Sequence, residues 1–273
     1  VYKLEATLTD YKLTRANQED LSEKFKSPDE QIPPVNLEVK KLATLRQMRK
    51  KDSIVYGAKA ANQGEMINAR LTGAIIPGGF GIPFYWYDKF MKDNGFDKII
   101  LELIDNNDFV HNPRFRREKL EELRAKIQNG AFDETLRKEV IQKWRTQLGG
   151  RSVFVRSSSN AEDLPNFSGA GLYSSVPNVK EEEKLIEAVK KVWGSLWKFE
   201  AYEARVRNYV SQTDVYMAAL IQLSVDMDRG GVMITKDPFD EENKNAIYIS
   251  AAPGTYTIHC LVHPTMVGHL TVV

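Results

Sequence analysis

The segment FVRSSSNAEDLPNFSGAGLYSSVPNV, Phe154 to Val179, constrains the fold more than any other stretch. A strand-like apolar run, VFV, stops at Arg156 and gives way to a long tract of Ser, Asn, Gly and acids. Such a tract has too few apolar groups to bury itself, and long loops in compact domains are usually functional or disordered. Arg156 follows the strand directly, so it is expected at a sheet edge facing the loop. Its planar fork of donors suits phosphate. Ser157, Ser158 and Ser159 add hydroxyl donors. Gly169 and Gly171 permit a backbone hairpin that would fold over a nucleotide. On composition alone, an exposed arginine on a hydrophilic loop explains the same residues.

The rest of the chain supplies regular elements around this segment. Residues 1–15 alternate like one or two exposed strands, and residues 16–38, ending SPDEQIPPVN, read as a linker. The basic stretch VKKLATLRQMRKK, residues 39–51, reads as a helical piece. Ala60 to Leu71 is helix-like, IIPGGFGIP is a short strand, and residues 83–92 form a helix with aromatic faces. Helices are expected from about Asn112 to Gln128 and from about Asp133 to Leu148. Leu120, Leu123 and Ile127 mark the first, and Leu136, Val140, Trp144 and Leu148 the second. The longest helix is expected at about Lys180 to Tyr209, with Leu185, Val189, Val192, Leu196 and Phe199 as its buried stripe. VYMAALIQLSV, GGVMIT and NAIYIS close the main body as strands. Helices and strands without strict alternation predict an α+β fold.

Three further groups carry possible chemistry. Gly57-Ala58-Lys59 opens a helix, where free N–H groups and the dipole favour an anion and a lysine can reach a phosphate. A solvated lysine on a first turn is the plainer reading. Gln222 is the polar residue of an apolar strand and offers an amide to an adenine edge, although a core strand with one polar edge residue looks the same. Asp237, in ITKDPFD, follows a strand and places a carboxylate near a metal, or simply forms a turn.

Taken together, GAKAANQGEM…IPGGFGIP, VRSSSNAEDLPNFSGAGLYSSVPNV, VWGSLWKFEAYEARVRN and GGVMITKDP resemble the nucleotide-binding domain of the phosphoenolpyruvate synthase and pyruvate phosphate dikinase family. Glucan water dikinases share this ATP-grasp domain. The motifs span about Tyr56 to Ser250. The resemblance implies an ATP-grasp-like mixed sheet with packed helices, and ATP and Mg²⁺ as ligands. It implies that Lys59 contacts ATP phosphates, that Arg156 binds the transferring phosphoryl groups, and that Gln222 and Leu223 lie by the adenine. Asp237 would sit near the phosphate end, with Ser157, Ser158 and Gly169 on the phosphate-facing loop. Lys59 and Arg156 would be the catalytic pair. The family moves phosphate from ATP to a histidine on a separate swivelling domain, then to an acceptor such as pyruvate or glucan.

The chain also departs from that pattern. Where the family has a metal-binding Glu, this sequence has Ser250. Within these 273 residues no swivelling histidine domain is expected, and His111, in FVHNPRF, is the one histidine before the tail. After NAIYIS the chain runs AAPGTYTIHCLVHPTMVGHLTVV, which alternates like a β-hairpin and is similar to the last hairpin of cupredoxins. Cys260, His263 and Met266 have the spacing C-x2-H-x2-M, the thiolate, imidazole and thioether of a copper site. Such a site needs a second His, and His259, next to the Cys, points to the opposite face of a strand. Three readings follow: an ATP-binding dikinase domain, a cupredoxin-like copper or electron-transfer module, and a non-catalytic nucleotide-binding scaffold. The expected divisions are residues 1–50 (strands, linker and helix), 51–250 (nucleotide-binding domain) and 251–273 (C-terminal hairpin, a possible fusion or truncation junction).

Bulk properties narrow these readings only slightly. The chain has 273 residues and a formal net charge of +1, which gives no strong field for nucleic acid or an anionic membrane. One cysteine excludes an internal disulfide and fits a reducing compartment, so a cytoplasmic location is expected. No apolar run approaches the roughly 20 residues of a membrane span. The first residue is Val rather than Met, which reads as a processed product or a fragment.

Overall fold

The computed structural model describes residues 2–6, 10–15, 29–70, 74–164, 167–226, 231–234, 242, 248–251, 254–259 and 267–272. Strands β1 (Tyr2–Ala6) and β2 (Tyr11–Arg15) pair antiparallel as a two-stranded ribbon. After β3 (Ala43–Thr44), two 3₁₀ turns replace the helix expected at residues 39–51. The buried residues there are Leu42, Ala43, Leu45 and Met48, and the spacing of three from Leu42 to Leu45 to Met48 suits a 3₁₀ turn as well as an α-helix.

Helix α1 (Ser53–Asn68) is kinked at Gly57, whose φ of 79° and ψ of 160° are not helical. Strand β4 (Gly79–Ile82) leads to α2 (Phe84–Asp93), then α3 (Phe96–Ile104) and α4 (Asn107–His111). The last two were not expected. Helix α5 (Pro113–Asn129) starts on Asn112, whose side chain accepts from the Arg114 and Phe115 N–H groups. Helix α6 (Glu134–Leu148) is capped likewise by Asp133 and ends at Gly149 with φ 66°. Its stripe, Leu136, Val140, Trp144 and Leu148, is buried as the fourfold spacing predicts. Each such side chain contributes about 1.5–3 kcal/mol of burial.

Strand β5 (Val153–Ser159) is followed by the short pair β6 (Asp163–Leu164) and β7 (Phe167–Ser168), and by β8 (Ser175–Val179). The helix expected from Lys180 to Tyr209 is two helices. Helix α7 (Glu182–Gly194) ends in a 3₁₀ turn, Lys198 is extended, and α8 (Phe199–Arg207) follows. The break has side-chain causes. Ser195 Oγ donates back to the Val192 carbonyl, and the buried Arg205 donates to the Leu196 carbonyl that the break frees.

The last elements are β9 (Met217–Leu223), the pair β10 (Gly231–Ile234) and β11 (Tyr248–Ala251), and the C-terminal hairpin β12 (Gly254–His259) with β13 (Val267–Val272). The central sheet has five strands in the order β3-β4-β9-β5-β8, and its pairs are antiparallel. An α+β fold is therefore what the chain adopts. Strand β9 divides the core by its alternation. Ala219 and Ile221 join the large core built with α2, α5, α6 and α7, and Leu220 joins a small core with Val55, Tyr56 and Ala60 of α1. The sheet thus has α1 on one face and the helical body on the other. No helix among the described residues is long and apolar enough to cross a membrane.

Candidate functional site

The face of the sheet that carries α1 holds the site. Arg156 pairs with Leu220 across β5 and β9, and Phe154 pairs with Gln222. Directly opposed residues share a face, so Phe154, Arg156 and Gln222 all lie on the small-core side. Together with Gln63 and Met66 of α1, the 75–77 segment, Ser175, Leu223 and Val225, they line a cleft of about 560 Å³. That size lies within the range of roughly 300–1,000 Å³ usual for small-molecule sites. Its walls are mainly apolar, with Met66, Ile75, Pro77, Phe154 and Leu223 among them. Among the described residues, Arg156 is the one cationic side chain that lines it.

A relay of amides fixes that arginine. Arg156 Nη1 donates to Gln222 Oε1 at 3.1 Å. Gln222 Nε2 donates in turn to Gln63 Oε1 at 2.6 Å and to the Pro77 carbonyl at 3.0 Å. Gln222 is buried, yet its amide is satisfied on both sides. The Leu223 N–H is taken by the Gly78 carbonyl at 2.9 Å.

Lys59 sits one turn before Gln63 on the same face of α1. Its ammonium donates to the Ser157 carbonyl at 2.8 Å and lies 2.8 Å from Glu162 Oε1. Ser157 Oγ is more distant, at 3.3 Å. Lys59 is thus tied to the residue next to Arg156, although it does not itself line the cleft. The kink at Gly57 makes this approach possible. A Cβ at Gly57 would overlap the Ser158 carbonyl and hydroxyl, and the φ of 79° is one that L side chains avoid. With the chain so close, Ser158 Oγ accepts the Ala60 N–H at 3.1 Å. Beside the kink, the buried Tyr56 phenol donates to the Lys41 carbonyl at 2.7 Å. Burial, then the charges of Asp52 and Glu139, push its pKa up to about 12.

The long polar segment is ordered by its own backbone. After β5 the chain turns through β6 and β7, and the Gly169 N–H bonds the Glu162 carbonyl at 2.8 Å. Gly171, with φ 78°, turns the chain back so that β8 pairs with β5 and Ser175 stands opposite Arg156. The three serine hydroxyls face inward. Ser157, Ser158 and Ser159 are buried, and Ser159 Oγ donates to the Tyr216 carbonyl at 3.0 Å.

The structure therefore brings Arg156, Gln222 and Leu223 together, sets Lys59 alongside, and places Gly169 in the supporting loop. Sequence reading missed Gln63, Ser175, Glu162 and the apolar 75–77 wall. Gln63 was detectable as the residue four after Lys59. Asp237, Cys260, His263 and Met266 lie outside the described residues. His111 is exposed at the end of α4, and Ser250 pairs with Val232 in the β10–β11 ladder. Among the described residues no group of three or more His, Cys, Asp or Glu is arranged to hold a metal ion. Nothing supports the copper reading.

Comparison with known proteins points the same way as the geometry. Residues 53–257 match the family described as pyruvate phosphate dikinase, AMP/ATP-binding domain. The match runs past Ala251 into β12. The chain is 31% identical over 231 residues to a probable phosphoenolpyruvate synthase of Methanothermobacter thermautotrophicus, covering 83% of this chain and 33% of that relative. It is 32% identical over 216 residues to the phosphoenolpyruvate synthase of Aeropyrum pernix, covering 77% and 26%. It is 33% identical over 224 residues to a probable phosphoenolpyruvate synthase of Staphylothermus marinus, covering 77% and 25%. The chain thus spans only a third or less of the length of these relatives. It belongs to the pyruvate phosphate dikinase AMP/ATP-binding domain family.

Proposed function

We propose that this chain binds ATP in the cleft, as the nucleotide-binding part of a dikinase-type phosphotransferase. The base lies against the apolar wall of Phe154, Pro77 and Leu223, near the Gln222 amide. The phosphates run past Arg156 towards Lys59 and the helical turn that starts at Ala58. One observation carries this reading. Arg156 and Gln222, 66 positions apart, meet in a single cleft whose wall α1 supplies, and the same helix holds Lys59 one turn away.

The chemistry follows from charge. Phosphoryl transfer needs its parts positioned and its shifting charge neutralised. Arg156 offers a planar fork to a phosphoryl group, and Lys59 offers a point charge. The reaction class is transfer of a phosphoryl group from ATP to a histidine carried on a separate domain, and from there to an acceptor such as pyruvate. The greater length of the relatives and their printed name, phosphoenolpyruvate synthase, support this reading. The ATP-grasp architecture, Mg²⁺ as the nucleotide's counter-ion, and a nucleotide-binding unit over 51–250 are part of the same proposal.

A photoreactive ATP analogue tests it. Cross-links are expected on peptides containing Gln63–Pro77, Phe154–Arg156 or Gln222–Val225, and excess ATP should suppress them. Labelling elsewhere, or labelling that ATP does not suppress, contradicts the assignment. Ser250, where the resemblance places a metal-binding Glu, favours a second reading in which the chain binds ATP without turning it over. An ATPase and autophosphorylation assay separates the two.

A further inference from the structure

Glu162 is an awkward group to bury for stability alone. Only 7% of it is exposed. Oε1 lies 2.8 Å from the Lys59 ammonium, but Oε2 is buried with no hydrogen-bond partner. A carboxylate oxygen removed from water without a partner is costly, and a buried ion pair is often no more stable than an apolar pair of the same shape. Glu162 would also repel a triphosphate bound next to Arg156. Both effects weigh against a carboxylate here.

What the carboxylate supplies is direction. A lysine has a flexible stem and three rotatable donors. The Ser157 carbonyl and Glu162 Oε1 are two strong acceptors for the Lys59 ammonium, both at 2.8 Å. The third contact, Ser157 Oγ at 3.3 Å, is weak, and the lysine side chain keeps 25% of its surface exposed. The donor that meets Ser157 Oγ is therefore the one an outside acceptor can take over. Glu162 is itself held, because its carbonyl accepts the Gly169 N–H and its Cα lies 3.1 Å from where a Gly169 Cβ would stand.

We infer that Glu162 is a positioning residue for nucleotide binding: it anchors the Lys59 ammonium so that the remaining donor is presented to the phosphate chain. This rests on the ATP reading above. It makes a prediction opposite in sign to simple electrostatics. Removing a carboxylate adds one positive charge to the site, which by attraction alone would tighten ATP binding. Loss of a positioned lysine weakens it.

The test is calorimetric titration of the full chain with Mg²⁺-ATP and with adenosine, for wild type, Glu162→Ala, Lys59→Met and the double variant. Glu162→Ala should bind ATP about tenfold more weakly, the worth of one charge-assisted hydrogen bond, and adenosine within about twofold of wild type. In the Lys59→Met background the same change should have no further effect. Tighter ATP binding, an equal loss for ATP and adenosine, or full additivity overturns the inference. If Glu162→Ala does not fold, the isosteric Glu162→Gln answers instead, with a phosphate-selective loss of about threefold expected. A wild-type chain that binds neither ligand overturns the ATP reading itself. Wild-type binding without a phosphate-selective effect overturns the role of Glu162 alone.

Discussion

Arg156 reaches diagonally across the sheet to Gln222, two positions along the neighbouring strand from its own partner Leu220, and donates to its amide oxygen at 3.1 Å. Diagonal pairs of this kind lie within reach of long side chains. The contact holds the guanidinium over the cleft while most of its donors stay available. Arg156→Lys keeps the charge but loses the planar fork. ATP affinity measured by calorimetry should fall about tenfold while the unfolding midpoint stays close to wild type.

Gln222→Leu tests the amide relay. It leaves the Gln63 amide oxygen and the Pro77 carbonyl without the donor they have at 2.6 and 3.0 Å. Urea denaturation should show a loss of about 1 kcal/mol, the cost of leaving half-buried acceptors without their donor. An unchanged stability would show that the relay does not hold the cleft together.

Gly57→Ala tests the kink. The variant adds a Cβ into the Ser158 carbonyl at a φ of 79°. Strain and overpacking together should cost about 2–4 kcal/mol. Gly171→Ala is the matching control. Its φ is 78°, but a Cβ there meets open space, so only the strain of about 1–2 kcal/mol is expected. Equal losses in the two variants would contradict the close packing of α1 on β5.

The elements with a clear period were legible in the sequence. The α6 stripe repeats every fourth residue, and its capping residues, Asp133 and Gly149, bound it on both sides. The resemblance of the VRSSSN segment to a known nucleotide-binding domain led to Arg156 and Lys59. The break after Gly194 was not legible, because the apolar stripe continues through it. What ends the helix is a serine back-bond and a distant arginine, Arg205, which no local pattern reveals. The 39–51 stretch was misread for a related reason. Leu42, Leu45 and Met48 fit both a helix and a 3₁₀ turn until the pairing of Ala43 with Gly81 fixes the backbone. The serines look like ligand donors in sequence. In the fold Ser158 and Ser159 join helix to strand and strand to loop. Strand alternation and the kink at Gly57 decide that, and neither depends on hydrophilicity.

Alkaline pH should destabilise the chain through its buried and half-buried tyrosines. Burial raises Tyr56 to about 12 from an ordinary 10.0, and it also raises Tyr87, Tyr202 and Tyr216. A raised folded-state value means that the folded chain holds the phenol proton more tightly. The stability this gives is intact below pH 10 and is lost as pH rises towards 12. Tyr56 should contribute about 1.4 kcal/mol of loss per pH unit across that window, and Tyr87, Tyr202 and Tyr216 add to the loss in the same direction. Urea midpoints taken with phenolate absorbance should fall together. Phenolate appearing before any loss of stability would contradict the burial of these rings.

The most direct test of the central claim is titration of the purified chain with Mg²⁺-ATP, comparing wild type with Arg156→Ala. Saturable binding with one site per chain, weakened about a hundredfold or more in the variant while the fold is retained, is the expected result. Binding of equal strength in the two proteins would place the nucleotide away from the cleft between α1 and β5.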